Sequence, residues 1–530
     1  MKRTPAVHPF LFSLFPILAL YAHNIKSIPI SFGELVGPLT ASLVCTTAVF
    51  LVLRTALKDA AKPGLLAFLL LLGFFSFGHI AGQLAVWTGG FFNRSLFFAW
   101  AITLGLIAFL VVRSRRTFIG LTKILNGVSA TLVILNLASI GLTLARRPHI
   151  VFDKDVKVSR QPASRPNIYY IVLDAYTRAD ILEEVFSFDN SGFLAGLEAK
   201  GFYVASKSCS NYSQTHLSLA SSLNFTLLDE LAKELGPYAS DRDPLQKMIQ
   251  DNRTMAFLKG QGYRLISIAS GMELTELKNV DRYSGFKQST SEFRNVLLNT
   301  TPLPLFLGLS AGHSPYDAHR ERILSAFRAL EESPFEKGPF FLFVHIMCPH
   351  PPFVFGPAGE PIEPDYSYTL HDADRMPGIG KSGLEDYLEK YRGQLTFLNK
   401  KLEEAVGAIL ARSSEPPVII LQGDHGTRAY LIWEHPEASY FRENLSILNA
   451  YCLPGIDRAL LYPGISPVNT FRLIFREYFG ADLERLDDRS YWSTWRFPYR
   501  FLPFDENTYR PTVESFKAGL KTKQKGGQKR

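Results

Sequence analysis

The pair Asp424-His425, followed at once by Gly426, stands at the end of the apolar run Pro417-Val-Ile-Ile-Leu-Gln-Gly423. A buried strand that turns at a glycine can aim both side chains into one crevice, and an aspartate beside a neutral imidazole suits a divalent ion such as zinc or manganese. The other reading is a tight Gly-Asp-His-Gly turn with a solvated aspartate. A second carboxylate favours the metal: Asn167-Ile-Tyr-Tyr-Ile-Val-Leu-Asp174 is another apolar run, rich in β-branched and aromatic residues, that ends in an acid. A metal of this kind needs a nucleophile close by. Residues 206–214 are dense in hydroxyls, and Thr215-His-Leu-Ser-Leu-Ala-Ser-Ser-Leu-Asn224 then turns small and apolar, as a helix beginning just after a nucleophile would. Metal coordination lowers the pKa of an alcohol, and a helix N-terminus stabilises phosphoryl oxygens. Serine and threonine are equally suited to capping a helix with no chemistry implied, and taken alone the segment reads more readily that way. Arg178 and Arg428 flank the two carboxylate-bearing turns. Either can clamp a phosphate through paired hydrogen bonds or bridge to a nearby carboxylate. His216 and Lys207, beside the hydroxyl-rich segment, are candidate donors to a leaving oxygen.

These groups must be carried by elements that bring them together. The run Pro339-Phe-Phe-Leu-Phe-Val-His345 repeats the design of the other two, and helix-like stretches at 317–332 and 383–411 lie between such runs. Strands alternating with helices predict an α/β fold with a mostly parallel central sheet, its functional groups at the carboxyl ends of the strands. His345, inside its strand, reads as a core histidine or as a support for a ligand.

The part of the chain before about residue 145 is different in kind. Five apolar stretches, at 9–23, 36–53, 63–85, 95–112 and 124–144, have the length and composition of membrane helices, the first being short. Lys2 and Arg3 precede the first, Arg54, Lys58 and Lys62 separate the second from the third, and Arg113, Arg115, Arg116 and Lys123 separate the fourth from the fifth. By the positive-inside rule these segments are cytoplasmic, so an odd number of spans puts everything after Arg147 outside. The expected division is a transmembrane domain at 1–147, a connector at 148–165, an extracytoplasmic catalytic domain at 166–505 and a basic, disordered tail at 506–530. No span carries a buried acid, which argues against a transporter.

Lysine and arginine exceed aspartate and glutamate by 57 to 49, but much of the excess lies beside the apolar runs and in the tail. No basic stripe interleaves with aromatics in the soluble part, so nucleic acid is excluded as a partner. The 4 cysteines show no metal-binding spacing, and one disulfide remains open.

The order of Asp174, the Thr215 segment, Pro349-His350-Pro-Pro-Phe353 and Asp424-His425-Gly426 resembles the alkaline phosphatase and sulfatase superfamily. In layout it is most similar to the membrane-anchored bacterial branch that includes lipoteichoic acid synthases and phosphoethanolamine transferases. The resemblance covers roughly 165–480. It implies an alkaline-phosphatase-like α/β sandwich in which Asp174, Asp424, His425 and Thr215 hold one divalent metal ion, zinc or manganese ahead of magnesium or calcium, with Thr215 as nucleophile. It further implies that His350 contacts the anionic head group of the substrate and that Ser218 completes a Thr-x-x-Ser spacing. Arg178 and Arg428 join His350 and Ser218 as the expected substrate-binding set. The chain departs from the sulfatases in having no Cys/Ser-x-Pro-x-Arg motif near Thr215 or Cys209. The histidines of a second metal site have no clear match; His313, His319, His371 and His435 are candidates without diagnostic spacing.

The implied activity is transfer of a phospho head group from a membrane lipid or lipid-linked donor onto an envelope glycan or other hydroxyl acceptor, through a phospho-threonine. The setting would be a bacterial inner membrane, with the catalytic domain facing the periplasm or exterior. Two alternatives stand beside it: hydrolysis of periplasmic phosphate or sulfate esters, and a non-catalytic envelope-binding membrane protein.

Overall fold

Ile168–Leu173 (β1) is buried at every position, which is why it reads as a continuous apolar run rather than an alternating one. It lies at the centre of a sheet ordered β2-β7-β6-β1-β5-β3-β4, with β2 Tyr203–Val204, β3 Arg264–Ile268, β4 Arg282–Ser284, β5 Phe340–Ile346, β6 Val418–Gly423 and β7 Asn449–Cys452. β6, β1, β5, β3 and β4 run parallel, and only β7 is antiparallel to its neighbours. Side chains of β1 alternate between two cores: Tyr169, Ile171 and Leu173 face one, Ile168, Tyr170 and Val172 the other. Helices cover both faces, giving the layered α/β architecture with a mostly parallel central sheet. Residues 4–26, 30–57, 59, 61–88, 93–147, 155–159, 164–286, 291–306, 314–363, 368, 383–432, 435–514 and 516 are described by this computed structural model.

The chain divides into two units, Met1–His149 with Ser289–Ser314, and Ile150–Gln288 with Pro315–Arg530. The first unit contains helices α1 His8–Asn24, α2 Gly33–Ala56, α3 Lys62–Thr88, α4 Asn93–Arg113 and α5 Ile119–Ala145. Four of them, α2 to α5, are long and apolar enough to cross a membrane. α1 has 17 residues, a rise of about 26 Å against a hydrocarbon core of about 30 Å. Nonetheless α1 is matched to α5 at both ends. The Asn126 side chain accepts from the backbone N–H of Val7 and His8 at 3.1 and 2.8 Å, while Arg147 donates to the Ile25 carbonyl at 3.2 Å. The two helices therefore run in the same direction. Large apolar side chains on the other helices, such as Val44, Phe98, Ile102 and Ile134, are exposed, as lipid-facing residues would be.

The sequence division assigned 289–314 to the catalytic domain, whereas the fold groups it with the helices. The reason is local: Phe293 and Leu297 are buried among Tyr21, Ile25 and Leu35, and Arg294 pairs with Glu34 at 3.0 Å. The first residues assigned to the tail are also packed, since Val513 is fully buried in the core of the second unit. The basic residues of that tail from Lys517 onward lie outside the described residues, as do Lys2, Arg3 and Lys58. All four cysteines are free, so the disulfide left open by the sequence is not formed.

Candidate active site

Parallel pairing sets the level at which each functional group leaves the sheet. Leu173 of β1 is paired with Gly423 of β6 and with Ile346 of β5, so Asp174 and Asp424 emerge side by side and His350 follows from the neighbouring strand. Backbone bonds lock this rim: Asp174 N–H donates to Ile346 O at 2.9 Å, and His350 N–H to Asp174 O at 3.0 Å. Ala175 turns the chain away from the strand with φ of 61°, a left-handed conformation uncommon outside glycine, and its N–H donates to Asp424 Oδ1 at 3.1 Å. Gly426 is required by close approach, because a Cβ there would lie 2.2 Å from the Glu443 carbonyl oxygen.

His425 donates from Nδ1 to the Gly426 carbonyl at 2.8 Å, which leaves Nε2 as the nitrogen with a lone pair. That nitrogen lies 3.6 Å from Asp174 Oδ1, 3.5 Å from Asp424 Oδ2 and 3.1 Å from Thr215 Oγ1. Ligand atoms of Asp174, Asp424 and His425 all fall within 4.8 Å of one another, and all three residues are buried. Both carboxylate oxygens of Asp174, and Oδ2 of Asp424, are buried without a hydrogen-bond partner among the described residues. Several buried carboxylate oxygens left unsatisfied around an imidazole lone pair form a costly arrangement unless a cation sits among them. The donor set, two carboxylates, one imidazole and a hydroxyl, fits a divalent ion.

Charge around the site is biased to keep the candidate ligands in forms that could coordinate a cation. Burial pushes the Asp174 carboxyl up, but His350, His345 and His425 outweigh it and hold the group well below the usual carboxylate range. Burial, then Arg428, lowers the His425 pKa against the pull of Asp424 and Asp174, so the imidazole is neutral.

Thr215 is the first residue of the helix Thr215–Asn224, whose N-cap is Gln214. Its hydroxyl is not spent on capping; it points to His425. The helix is buried along its whole length, with the positive end of its dipole at the site. His350 is buried at the rim, its ring 6.4 Å from that of His425. Ser218 lies beneath the site rather than facing it: its Oγ is 3.2 Å from Ser210 Oγ, which donates to the Asp424 carbonyl at 2.5 Å.

The two arginines are placed differently from each other. Arg178 is turned away and committed to carboxylates, bonding Asp180 through Nε at 2.7 Å and Glu506 through Nη1 at 3.1 Å. Arg442 bridges Asp180 and Glu184, both at 2.6 Å, and extends the same ion cluster. Arg428 does reach the site, donating from Nη2 to His425 Nε2 at 2.8 Å. One lone pair cannot serve both this guanidinium and a cation. Among the remaining candidates, Lys207 is exposed, His216 Nε2 accepts from Arg242 at 2.6 Å, and His435 is exposed beside Glu437. His319 is buried within the helix Pro315–Glu332, and His313 and His371 lie outside the described residues.

One neighbour of the site was left open between two readings by the sequence, and a second, Glu443, was not identified from it. His345 Nε2 lies 3.3 Å from Asp174 Oδ2, with Nδ1 3.0 Å from Thr275 Oγ1, so this strand histidine stands directly beside a candidate ligand carboxylate. The available signal was a lone imidazole near the end of an otherwise apolar strand. Glu443 is fully buried and gathers the loop after His425, accepting from Thr427 Oγ1 at 2.7 Å, Ala429 N–H at 2.6 Å and Tyr430 N–H at 2.9 Å. Burial raises its pKa to about 7 against those donors. The folded protein thus holds a proton that the unfolded chain releases near pH 4.5. Stability is fully present below that value and is lost as pH rises through about 7, by up to roughly 3 kcal/mol. Thermal melts between pH 5 and 8.5 are expected to show this decline, and Glu443→Gln is expected to remove that part of the slope; an unchanged slope would exclude Glu443 as its source.

No family model matches the sequence, and no curated protein matches it. Among solved structures, the chain is similar to the C-terminal periplasmic domain of EcEptC from Escherichia coli in complex with Zn, at 12% identity over 68% of this chain and 97% of that one, with a TM-score of 0.44. It is similar to the integral membrane protein lipooligosaccharide phosphoethanolamine transferase A from Neisseria meningitidis, at 14% identity over 91% and 96% of the two chains, with a TM-score of 0.40. A 2-O GAG sulfatase matches at 11% identity over 62% and 78%, with a TM-score of 0.39. The solved structures that this chain is similar to thus include phosphoethanolamine transferases and sulfatases.

Proposed function

We propose that this chain is a membrane-anchored enzyme that moves a phospho head group from a membrane lipid or lipid-linked donor onto a hydroxyl of an envelope glycan, through a phosphoester on Thr215. The observation that carries the reading is the Thr215 hydroxyl, 3.1 Å from His425 Nε2 and beside buried carboxylate oxygens that have no hydrogen-bond partner among the described residues. A divalent ion held by Asp174, Asp424 and His425, zinc or manganese ahead of magnesium or calcium, would lower the pKa of that hydroxyl and stabilise charge on the transferring group.

In the first step a bond forms between Thr215 Oγ and phosphorus while the bond from phosphorus to the lipid oxygen breaks. The lipid oxygen leaves with the electron pair and takes up the proton that Thr215 gives up. In the second step an acceptor hydroxyl attacks phosphorus, Thr215 recovers a proton, and the site is restored. N–H groups at the start of the Thr215 helix and the His350 imidazole supply positive potential for the anionic head group. A cation held at His425 Nε2 would take the lone pair that Arg428 now uses, and the guanidinium would then be available to the phosphoryl oxygens.

The membrane setting supports a lipid donor. Five helices with α1 and α5 running the same way, and basic segments at one end of the bundle, favour five spans with the catalytic unit outside a bacterial inner membrane. Intact-protein mass spectrometry after incubation with phospholipid vesicles tests the reading. Head-group mass on Thr215, and its passage to an added glycan, is the expected result; phosphate product formed with water alone would favour the hydrolase instead.

A further inference from the structure

The two residues that flank Thr215 are held by one buried side chain. Arg242, immediately before the helix Asp243–Gln250, is 0% exposed. Its Nε donates to His216 Nε2 at 2.6 Å and its Nη2 to Gln214 Oε1 at 3.1 Å. Nη2 also donates to the Trp495 carbonyl, Nη1 donates to the Ser240 carbonyl at 3.3 Å, and the guanidinium lies 4.1 Å over the Trp495 ring. Gln214 is gripped from its other side as well, donating from Nε2 to Ser493 Oγ at 3.0 Å and to the Thr494 carbonyl at 2.9 Å.

Among the described residues, every acceptor that Arg242 uses is neutral. Burying a guanidinium without an anion bonded to it is unfavourable, and burial lowers this one to a pKa of about 10 against the pull of Tyr499 and Asp241. Such a residue is a poor choice for filling a core. What it does that no apolar residue can is reach two acceptors at once from a rigid planar fork. Those acceptors sit one on each side of the candidate nucleophile, at the point where extended backbone at Gln214 becomes helix at Thr215.

We propose that Arg242 is a positioning residue for Thr215. By holding Gln214 and His216 together against the 493–499 segment, it fixes the first turn of the helix and with it the direction of the Thr215 hydroxyl. The proposal rests on the reading of Thr215 as nucleophile.

The test is turnover of the chromogenic diester bis(p-nitrophenyl) phosphate by the full-length, zinc-loaded protein in detergent, with intact-protein mass spectrometry of the Thr215 adduct. In Arg242→Lys the charge remains and the fork is lost. The expected result is a fall in kcat of about tenfold or more, as for a misaligned nucleophile, with KM within about twofold and with wild-type zinc content. Should that variant not fold, His216→Leu and His216→Gln provide the second route: leucine removes the acceptor and is expected to lose kcat, and glutamine, which restores one, is expected to recover part of it. A Lys variant as fast as wild type, a loss confined to KM, or equal rates in the two His216 variants would overturn the role of Arg242. A wild-type protein that releases no p-nitrophenolate and gains no phosphoryl mass on Thr215 would instead refute the nucleophile reading itself.

Discussion

Thr215→Ala is expected to lower kcat by about 10⁴-fold or more, the scale on which removal of a nucleophile acts, while the protein folds and binds metal. The reason lies in where the hydroxyl points. The N-cap position belongs to Gln214, and Thr215 Oγ1 is directed instead at His425 Nε2, 3.1 Å away. Were the hydroxyl only a cap, its loss would cost about 1 kcal/mol of stability and nothing in rate. Measuring kcat and melting temperature on the same preparation separates the two. Thr215→Ser, which keeps the attacking oxygen, is expected to recover most of the rate, and retained turnover in a purified Thr215→Ala protein would remove Thr215 from the mechanism.

The second large effect concerns the carboxylates. Wild-type protein is expected to gain about 4 kcal/mol of stability at a thousandfold excess of zinc over its dissociation constant, and to lose it on chelation. Asp424→Asn is expected to abolish both that gain and turnover. In metal-free protein the same substitution is expected to be neutral or stabilising, because it removes the charge of a buried carboxylate whose Oδ2 has no hydrogen-bond partner among the described residues. Calorimetry of both proteins with and without a chelator checks this. A zinc-dependent gain in Asp424→Asn equal to that of wild type would show that Asp424 is not a ligand.

Much of this site was legible because parallel sheets bury both faces of their strands. Continuous apolar runs ending in Asp174 and Asp424 therefore announced both the strands and the rim at which the acids emerge. Register supplied the rest, since Leu173 opposite Gly423 brings the two acids together without any further signal. What could not be read depends on contacts distant along the chain. Arg178 has the same local setting as Arg428, a few residues beyond a strand-end acid. Only the fold shows that Glu506, 328 residues away, claims the first, while the second turns back to His425. The link between His345 and Asp174 was hidden for a related reason. A histidine inside an apolar strand looks like core until the neighbouring strand is paired with it, at Val172. The short strands β2 and β4, at the two ends of the sheet, have too few residues for any periodicity to register. In the membrane unit, the apolar period revealed the helices but not the 291–306 segment, whose Phe293 and Leu297 find their partners on α1 and α2.

Anomalous diffraction at the zinc edge from crystals of the zinc-loaded protein is the most direct measurement of whether these four side chains share one cation. The account predicts a single strong peak about 2.0–2.2 Å from oxygens of Asp174, Asp424 and Thr215 and from Nε2 of His425. A peak elsewhere, or a site in which the Thr215 hydroxyl stands clear of the ion, would contradict it.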